Sequence, residues 1–198
     1  PTGSGKSLGF PLFLSKQKLV EGKILVVQPR RVAARSLAKT ASNFCNSRVG
    51  EEVGYQVRFD SRVSTETKII YLTDGMIFRF LQNPVNLRGV DLIIFDEFHE
   101  RSLYMDASLA LAKSHSECGK IHARIIVTSA TLELEKISKF LKASKGLEVK
   151  TKCFPVEIFY KAVTSKQALS TQVCENLEFL LPRYQGDVLI FMDGATLI

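Results

Sequence analysis

Four short apolar runs punctuate the chain: Lys23–Gln28, Lys68–Leu72, Leu92–Phe95 and Arg124–Thr128. Each is long enough for one strand, and Leu92–Phe95 is apolar at every position, as in a strand buried on both faces. Segments of helical pattern separate them. Arg31–Phe44 places Val32, Ala33, Leu37, Ala38 and Ala41 on one side, Asp74–Leu81 opens with an acid suited to a helix start, and a further helix is expected near Glu133–Leu141. Strands alternating with helices predict an α/β fold with a mainly parallel sheet between helices. In open sheets of this kind, reactive residues collect where the strands end.

Beyond these runs the pattern weakens. Pro155 closes the first unit, Val156–Tyr160 is expected to lead into a second, Gln167–Leu181 reads as an amphipathic helix, and Val188–Phe191 as a strand. This divides the chain into a domain over 1–160 and the start of another over 161–198. With 198 residues, 45% of them hydrophobic, there is material for one full core and part of a second. Both ends read as cut within larger elements. The net charge of +7 and pI near 9.3 favour an anionic partner, of which nucleic acid fits best. Cys45, Cys118, Cys153 and Cys174 are too scattered for a metal knot or a disulfide framework. No run approaches the ~18 apolar residues of a membrane span, so a soluble, cytoplasmic protein without membrane partners is expected.

Two motifs carry chemistry. Pro1-Thr2-Gly3-Ser4-Gly5-Lys6-Ser7 reads as a phosphate loop whose first glycine would precede Pro1. Thr2, Gly3, Ser4 and Gly5 would turn backbone N–H groups toward phosphate oxygens; Lys6 would reach the terminal phosphates, and the Ser7 hydroxyl would ligate magnesium. The bland alternative is a glycine turn capped by Ser7. The second motif, Asp96-Glu97-Phe98-His99-Glu100-Arg101, begins where Leu92–Phe95 ends. Adjacent residues at a strand end point differently, so Asp96 can hold magnesium through waters while Glu97 deprotonates the attacking water. Alone, such a pair reads as a solvated acidic turn; together the two motifs point to an NTP and Mg2+ site. Ser129-Ala130-Thr131, directly after the run Arg124–Thr128, serves either as a helix cap or as hydroxyls bonding His99. His115 and His122 belong to no motif and are expected at the surface.

These segments, with Gln28–Ala34, Val53–Phe59 and Thr73-Asp74-Gly75-Met76, resemble superfamily 2 helicases and more narrowly the DEAH/RHA family. Phe98 in place of that family's alanine, the Glu100-Arg101-Ser102-Leu103 that follows, and Pro1-Thr2 in place of the usual Glu-Thr are similar to the bacterial HrpB branch. The resemblance spans essentially the whole chain. It implies a RecA-like P-loop NTPase domain plus the beginning of a second, which together drive movement along RNA at the expense of ATP or another NTP. It further implies coupling roles for His99, Ser129 and Thr131, and RNA-backbone contacts from Arg30, Thr73 and Gly75. The residues suit the task, since a guanidinium, a hydroxyl and a glycine N–H all recognise phosphate. Asp187–Gly194 is similar to the first strand motif of the family's second domain, with Asp193 where threonine or proline is usual.

The family's later motifs, which carry the arginine fingers, do not occur in these residues, so the isolated chain is expected to hydrolyse NTP poorly. A monomer, with an activating protein partner possible in principle, completes the expectation. Two alternatives stand beside it: an inactive nucleotide-gated RNA-binding scaffold, which the intact Lys6, Ser7, Asp96 and Glu97 oppose, and a DNA-directed superfamily 2 helicase.

Overall fold

The structure is a computed structural model that describes residues 5–130, 134–142, 146–148, 155–160 and 168–191. The chain divides into two units, Pro1–Lys152 and Cys153–Ile198.

In the first unit the strands β1 (Lys23–Gln28), β2 (Val53–Val57), β3 (Asp60–Arg62), β4 (Ile69–Thr73), β5 (Val90–Phe95) and β6 (Arg124–Val127) form one sheet. Their order is β3-β2-β4-β1-β5-β6. Every neighbouring pair is parallel except the hairpin β2–β3. The helices are α1 (Gly9–Lys16), α2 (Arg31–Phe44), α3 (Asp74–Gln82), α4 (Leu103–Glu117) and α5 (Leu134–Leu141), with short 3-10 turns at Pro84–Leu87 and Phe98–Glu100.

Alternate residues of each strand face opposite sides of the sheet and build two cores. Leu25, Val27, Leu72, Ile93 and Phe95 pack with Ile77 and Leu81 of α3 and Met105, Leu109 and Ala112 of α4. Ile24, Val26, Ile69, Tyr71, Leu92 and Ile94 pack beneath Leu12 of α1 and Ala34, Ala38 and Ala41 of α2. Full burial of each aliphatic side chain stabilises by about 1.5–3 kcal/mol, which is why the strands that are apolar on both faces lie inside the sheet. The stripe on α2 differs from the one read in the sequence. Ala34, Ala38 and Ala41 follow helical spacing and lie fully buried, whereas Val32, in the first turn, points to solvent.

Two elements were not foreseen. The β2–β3 hairpin turns through Arg58–Phe59, with Phe59 in a left-handed conformation (φ 66). It closes only because residue 54 is glycine: a Cβ there would stand 2.2 Å from the Arg62 carbonyl oxygen. The other is α4, started by Ser102, whose side chain accepts from the Met105 N–H at 3.0 Å. His115, expected at the surface, is half-buried on this helix and its Nε2–H donates to the Leu81 carbonyl at 2.8 Å, tying α4 to α3.

In the second unit the expected helix forms as α6 (Leu169–Leu180). The strand expected at 188–191 does not: these residues are irregular, with Leu189 and Phe191 exposed. A strand requires a neighbouring backbone to pair with, and none pairs with this run among the described residues. No helix of the described residues is long and apolar enough to cross a membrane.

Candidate functional site

Register places the site. Val27 is level with Phe95, Phe95 with Val127, and Gln28 with Thr73, so β1, β4, β5 and β6 end in one row. The ladder runs one step further, as the Asp96 N–H donates to the Val27 carbonyl (3.0 Å) and the Thr128 N–H to that of Phe95 (2.9 Å). Asp96, one residue past β5, is therefore fixed by its backbone before its side chain is considered. It is fully buried. Gln28 Nε2 donates to its Oδ2 at 2.7 Å, and the Thr128 hydroxyl donates to its Oδ1.

Of the phosphate loop, residues Thr2, Gly3 and Ser4 lie outside the described residues, as does Thr131 of the third motif. Gly5 adopts φ 77, a left-handed conformation suited to glycine, and its carbonyl accepts from the Phe10 N–H at 3.0 Å. The helix that follows, α1, begins at Gly9, one turn beyond Lys6. Lys6 Nζ reaches the Ser129 carbonyl at 3.5 Å, which brings the loop against the end of β6. Ser7 is anchored from below. The hydroxyl of Tyr71, fully buried in β4, donates to the Ser7 carbonyl at 2.9 Å. Burial, reinforced by the negative charge of Asp96, pushes the Tyr71 phenol well above its ordinary value of 10, so it stays a donor.

Past Asp96 the chain turns sharply. Glu97 lies at φ 51 and Arg101 at φ 43, on either side of the turn Phe98–Glu100. Left-handed backbone at such residues costs of order 1–3 kcal/mol each and persists only where the surroundings impose it. Here Phe98 is buried, Arg101 lies over its ring, and Arg101 grips both oxygens of Asp106 in α4. The turn sets Glu97 Oε2 3.3 Å from His99 Nδ1, and the Ala130 N–H points at the same Nδ1 from 3.4 Å. Nδ1 either carries a hydrogen for Glu97 or offers a lone pair to Ala130. A backbone N–H of the third motif thus reaches His99.

The residues expected at RNA gather on the same edge, over β1 and β4. Arg30, exposed, is paired with Glu100 at 3.0 Å. Thr73 is buried at the start of α3, and the Gly75 N–H is taken by Asp74 Oδ1 at 2.7 Å. The other oxygen of Asp74 accepts from the Ser102 hydroxyl at 2.5 Å. Both segments are thereby tied to residues 100–102, immediately after the acidic motif. On this side the Arg30 guanidinium and the Gly75 N–H already hold carboxylates.

Three residues here were quoted in the sequence without a role: Gln28, Thr128 and Tyr71. Each is a polar group in or at the end of an apolar strand, and burying such a group without a partner costs about 1–3 kcal/mol. That signal was available. Their partners were not, because they lie 32 to 68 residues away in sequence.

The donor set suits a nucleotide with Mg2+. Magnesium takes oxygen ligands, commonly including one or two carboxylates; Asp96 would offer a carboxylate and Ser7 a hydroxyl. Each Asp96 oxygen bonded to one protein donor keeps a second lone pair for a bound water.

A mainly parallel α/β sheet, two carboxylates at the end of an interior strand and a lysine-bearing glycine turn reaching the end of the neighbouring strand define a P-loop NTPase domain of the RecA-like kind. Comparison with known proteins narrows the class. The family described as DEAD/DEAH box helicase matches residues 1–140. The ATP-dependent RNA helicase HrpB of Escherichia coli is 34% identical over 195 residues, 98% of this chain and 24% of that protein. The probable ATP-dependent RNA helicase DHR2 of Saccharomyces cerevisiae is 38% identical over 197 residues, 98% of this chain and 27% of that protein. A crystal structure of the Escherichia coli DEAH/RHA helicase HrpB superposes with a TM-score of 0.89 at 33% identity, covering all of this chain and 25% of that one. The chain belongs to the DEAD/DEAH box helicase family. It spans about a quarter of the length of these relatives.

Proposed function

We propose that this chain is the nucleotide-hydrolysing part of an ATP-dependent RNA helicase, in which hydrolysis drives movement along RNA and opening of its duplexes. Residues 1–160 act as the first RecA-like domain, and 161–198 begin the second. Support comes from membership of the family, from relatives named as ATP-dependent RNA helicases, and above all from one observation. Asp96 and Glu97 leave β5 on a backbone that separates their tasks, Asp96 locked into the strand ends and Glu97 turned out through a left-handed residue.

In this reading Thr2, Gly3, Ser4 and Gly5 cradle the phosphates, and Lys6 moves from the Ser129 carbonyl onto the terminal phosphates of the NTP. Ser7 and Asp96 hold Mg2+, which supplies charge neutralisation at the phosphates when bound. Glu97 takes a proton from a water as that water's oxygen bonds to the γ-phosphorus. The bond to the β–γ bridging oxygen breaks, and NDP leaves with its electron pair. His99, Ser129 and Thr131 pass the state of this site to the neighbouring domain. Arg30, Thr73 and Gly75 grip the RNA backbone, which predicts little sequence preference and steep salt dependence.

The test is ATP hydrolysis by the full-length protein, with and without single-stranded RNA, beside its Glu97→Gln variant. RNA should stimulate the parent, and the variant should bind ATP yet lose roughly 10²–10⁴-fold in rate. Equal rates in the two would remove Glu97 as the base. RNA binding without hydrolysis in the parent would favour the inactive scaffold, and unwinding of a DNA duplex in preference to a matched RNA duplex would redirect the proposal to DNA.

A further inference from the structure

Gln28 is only 2% exposed and terminates an otherwise apolar strand, a costly place for an amide. Its Nε2 lies 2.7 Å from Asp96 Oδ2, while the Thr128 hydroxyl, from the strand on the other side of β5, donates to Oδ1. The carboxylate thus has one donor on each oxygen, from opposite directions. It cannot rotate about its own bond without breaking one of them. Both donors are neutral. A lysine or arginine in either place would hold the carboxylate equally well but cancel the charge that attracts a divalent cation, whereas an amide and a hydroxyl fix its orientation and leave its charge available.

We infer that Gln28 and Thr128 are positioning residues for Mg2+: they act through Asp96, touching neither metal nor nucleotide, and set how well that carboxylate receives the ion. The inference rests on the reading of Asp96 as a metal ligand. Outer partners of this type tune affinity because an oriented ligand loses less freedom on binding, and their removal typically weakens metal binding roughly 10- to 100-fold. Gln28, the last residue of β1, is also only two residues from Arg30 at the start of α2, so the ligand's support is continuous with the segment proposed to hold RNA.

The measurement is a Mg2+ titration of the full-length protein with a fluorescent ADP analogue, read as the Mg2+ concentration giving half of the gain in nucleotide affinity. The affinity in EDTA and the melting temperature are recorded beside it. Gln28→Met and Thr128→Val keep volume and remove one donor each. Both are expected to leave the EDTA affinity within about twofold and to raise the half-maximal Mg2+ concentration roughly tenfold or more. Thr128→Ser, which keeps the hydroxyl, is expected to restore the parent value. Should Gln28→Met fail to fold, the Thr128→Val and Thr128→Ser pair decides alone. Asp96→Asn separates the two levels of the argument. If Asp96→Asn loses the Mg2+ response while Gln28→Met and Thr128→Val keep it, the positioning role is overturned and the metal ligand stands. If Asp96→Asn responds like the parent, the ligand assignment itself falls. An equal loss of affinity in EDTA and in Mg2+ would mean that these residues merely support the fold, which also overturns the inference.

Discussion

The edge of the sheet carries two neighbouring sites that are built on opposite principles. Around Asp96 the acceptor is buried, its two donors come from the ends of the two flanking strands, and all three residues are also held by the backbone ladder. Around Arg30 and Gly75 the donors are nearer to solvent, and each is held by one carboxylate, Glu100 or Asp74. Under the proposed function, the first arrangement fixes geometry in advance, as chemistry on a phosphoryl group demands. The second would then keep donors occupied by acids that an RNA phosphate can displace, which suits a track that must be gripped and released. Substitutions on the two sides should therefore differ in kind as well as in size.

Among the effects on binding, the largest is expected from Lys6→Ala. In the proposed function it removes a charge-assisted bond to the terminal phosphates, so affinity for a fluorescent ATP analogue should fall roughly 100-fold. A fall of less than threefold would break the contrast at its strong end. On the other side, Arg30→Ala should weaken RNA binding evenly across sequences and make the logarithmic salt slope shallower by about 0.7, the value of one phosphate contact on a single strand. Glu100→Gln, which releases Arg30, should move affinity the opposite way by about two- to fivefold, in line with the modest worth of an exposed ion pair. If both variants left the salt slope unchanged, Arg30 would not be a backbone contact.

The last effect is on stability alone and belongs to Tyr71. Its phenol pKa is raised in the folded protein, chiefly by burial, so the unfolded chain deprotonates first. The stability this residue contributes is whole below pH 10 and drains away as pH climbs past it, by about 1.4 kcal/mol per pH unit. Urea unfolding of the domain between pH 9 and 11 should show that slope, and Tyr71→Phe should flatten it. An unchanged slope in the variant would show that other groups govern the alkaline limit.

Reading the chain in advance succeeded where a residue's neighbours in sequence determine its place. Lys23–Gln28 and Leu92–Phe95 declare themselves as interior strands because both faces are apolar, and Asp96 and Glu97 declare themselves by following one. It failed where pairing decides. Asp60-Ser61-Arg62 is wholly polar and is a strand only because Tyr55, Gln56 and Val57 lie opposite. Val188–Phe191 has the composition of a strand and lacks the pairing among the described residues. The helix α4 hid for another reason, since its buried face includes Ser108 and Ala112, which blur the apolar stripe. Lys6, Asp96 and Glu97 were singled out by spacing and His99 by the family resemblance, and the structure brings the ends of their elements together. The support from Gln28 and Thr128 was not, because it follows from the register of β1, β5 and β6 rather than from any local pattern.

That three-way lock has a consequence for descent. Gln28, Asp96 and Thr128 lie far apart in the sequence yet share two hydrogen bonds, so they should be inherited as one trait. A relative that has lost the amide at Gln28 is expected to have kept the hydroxyl at Thr128. One that has lost both should no longer have a carboxylate at Asp96 to hold.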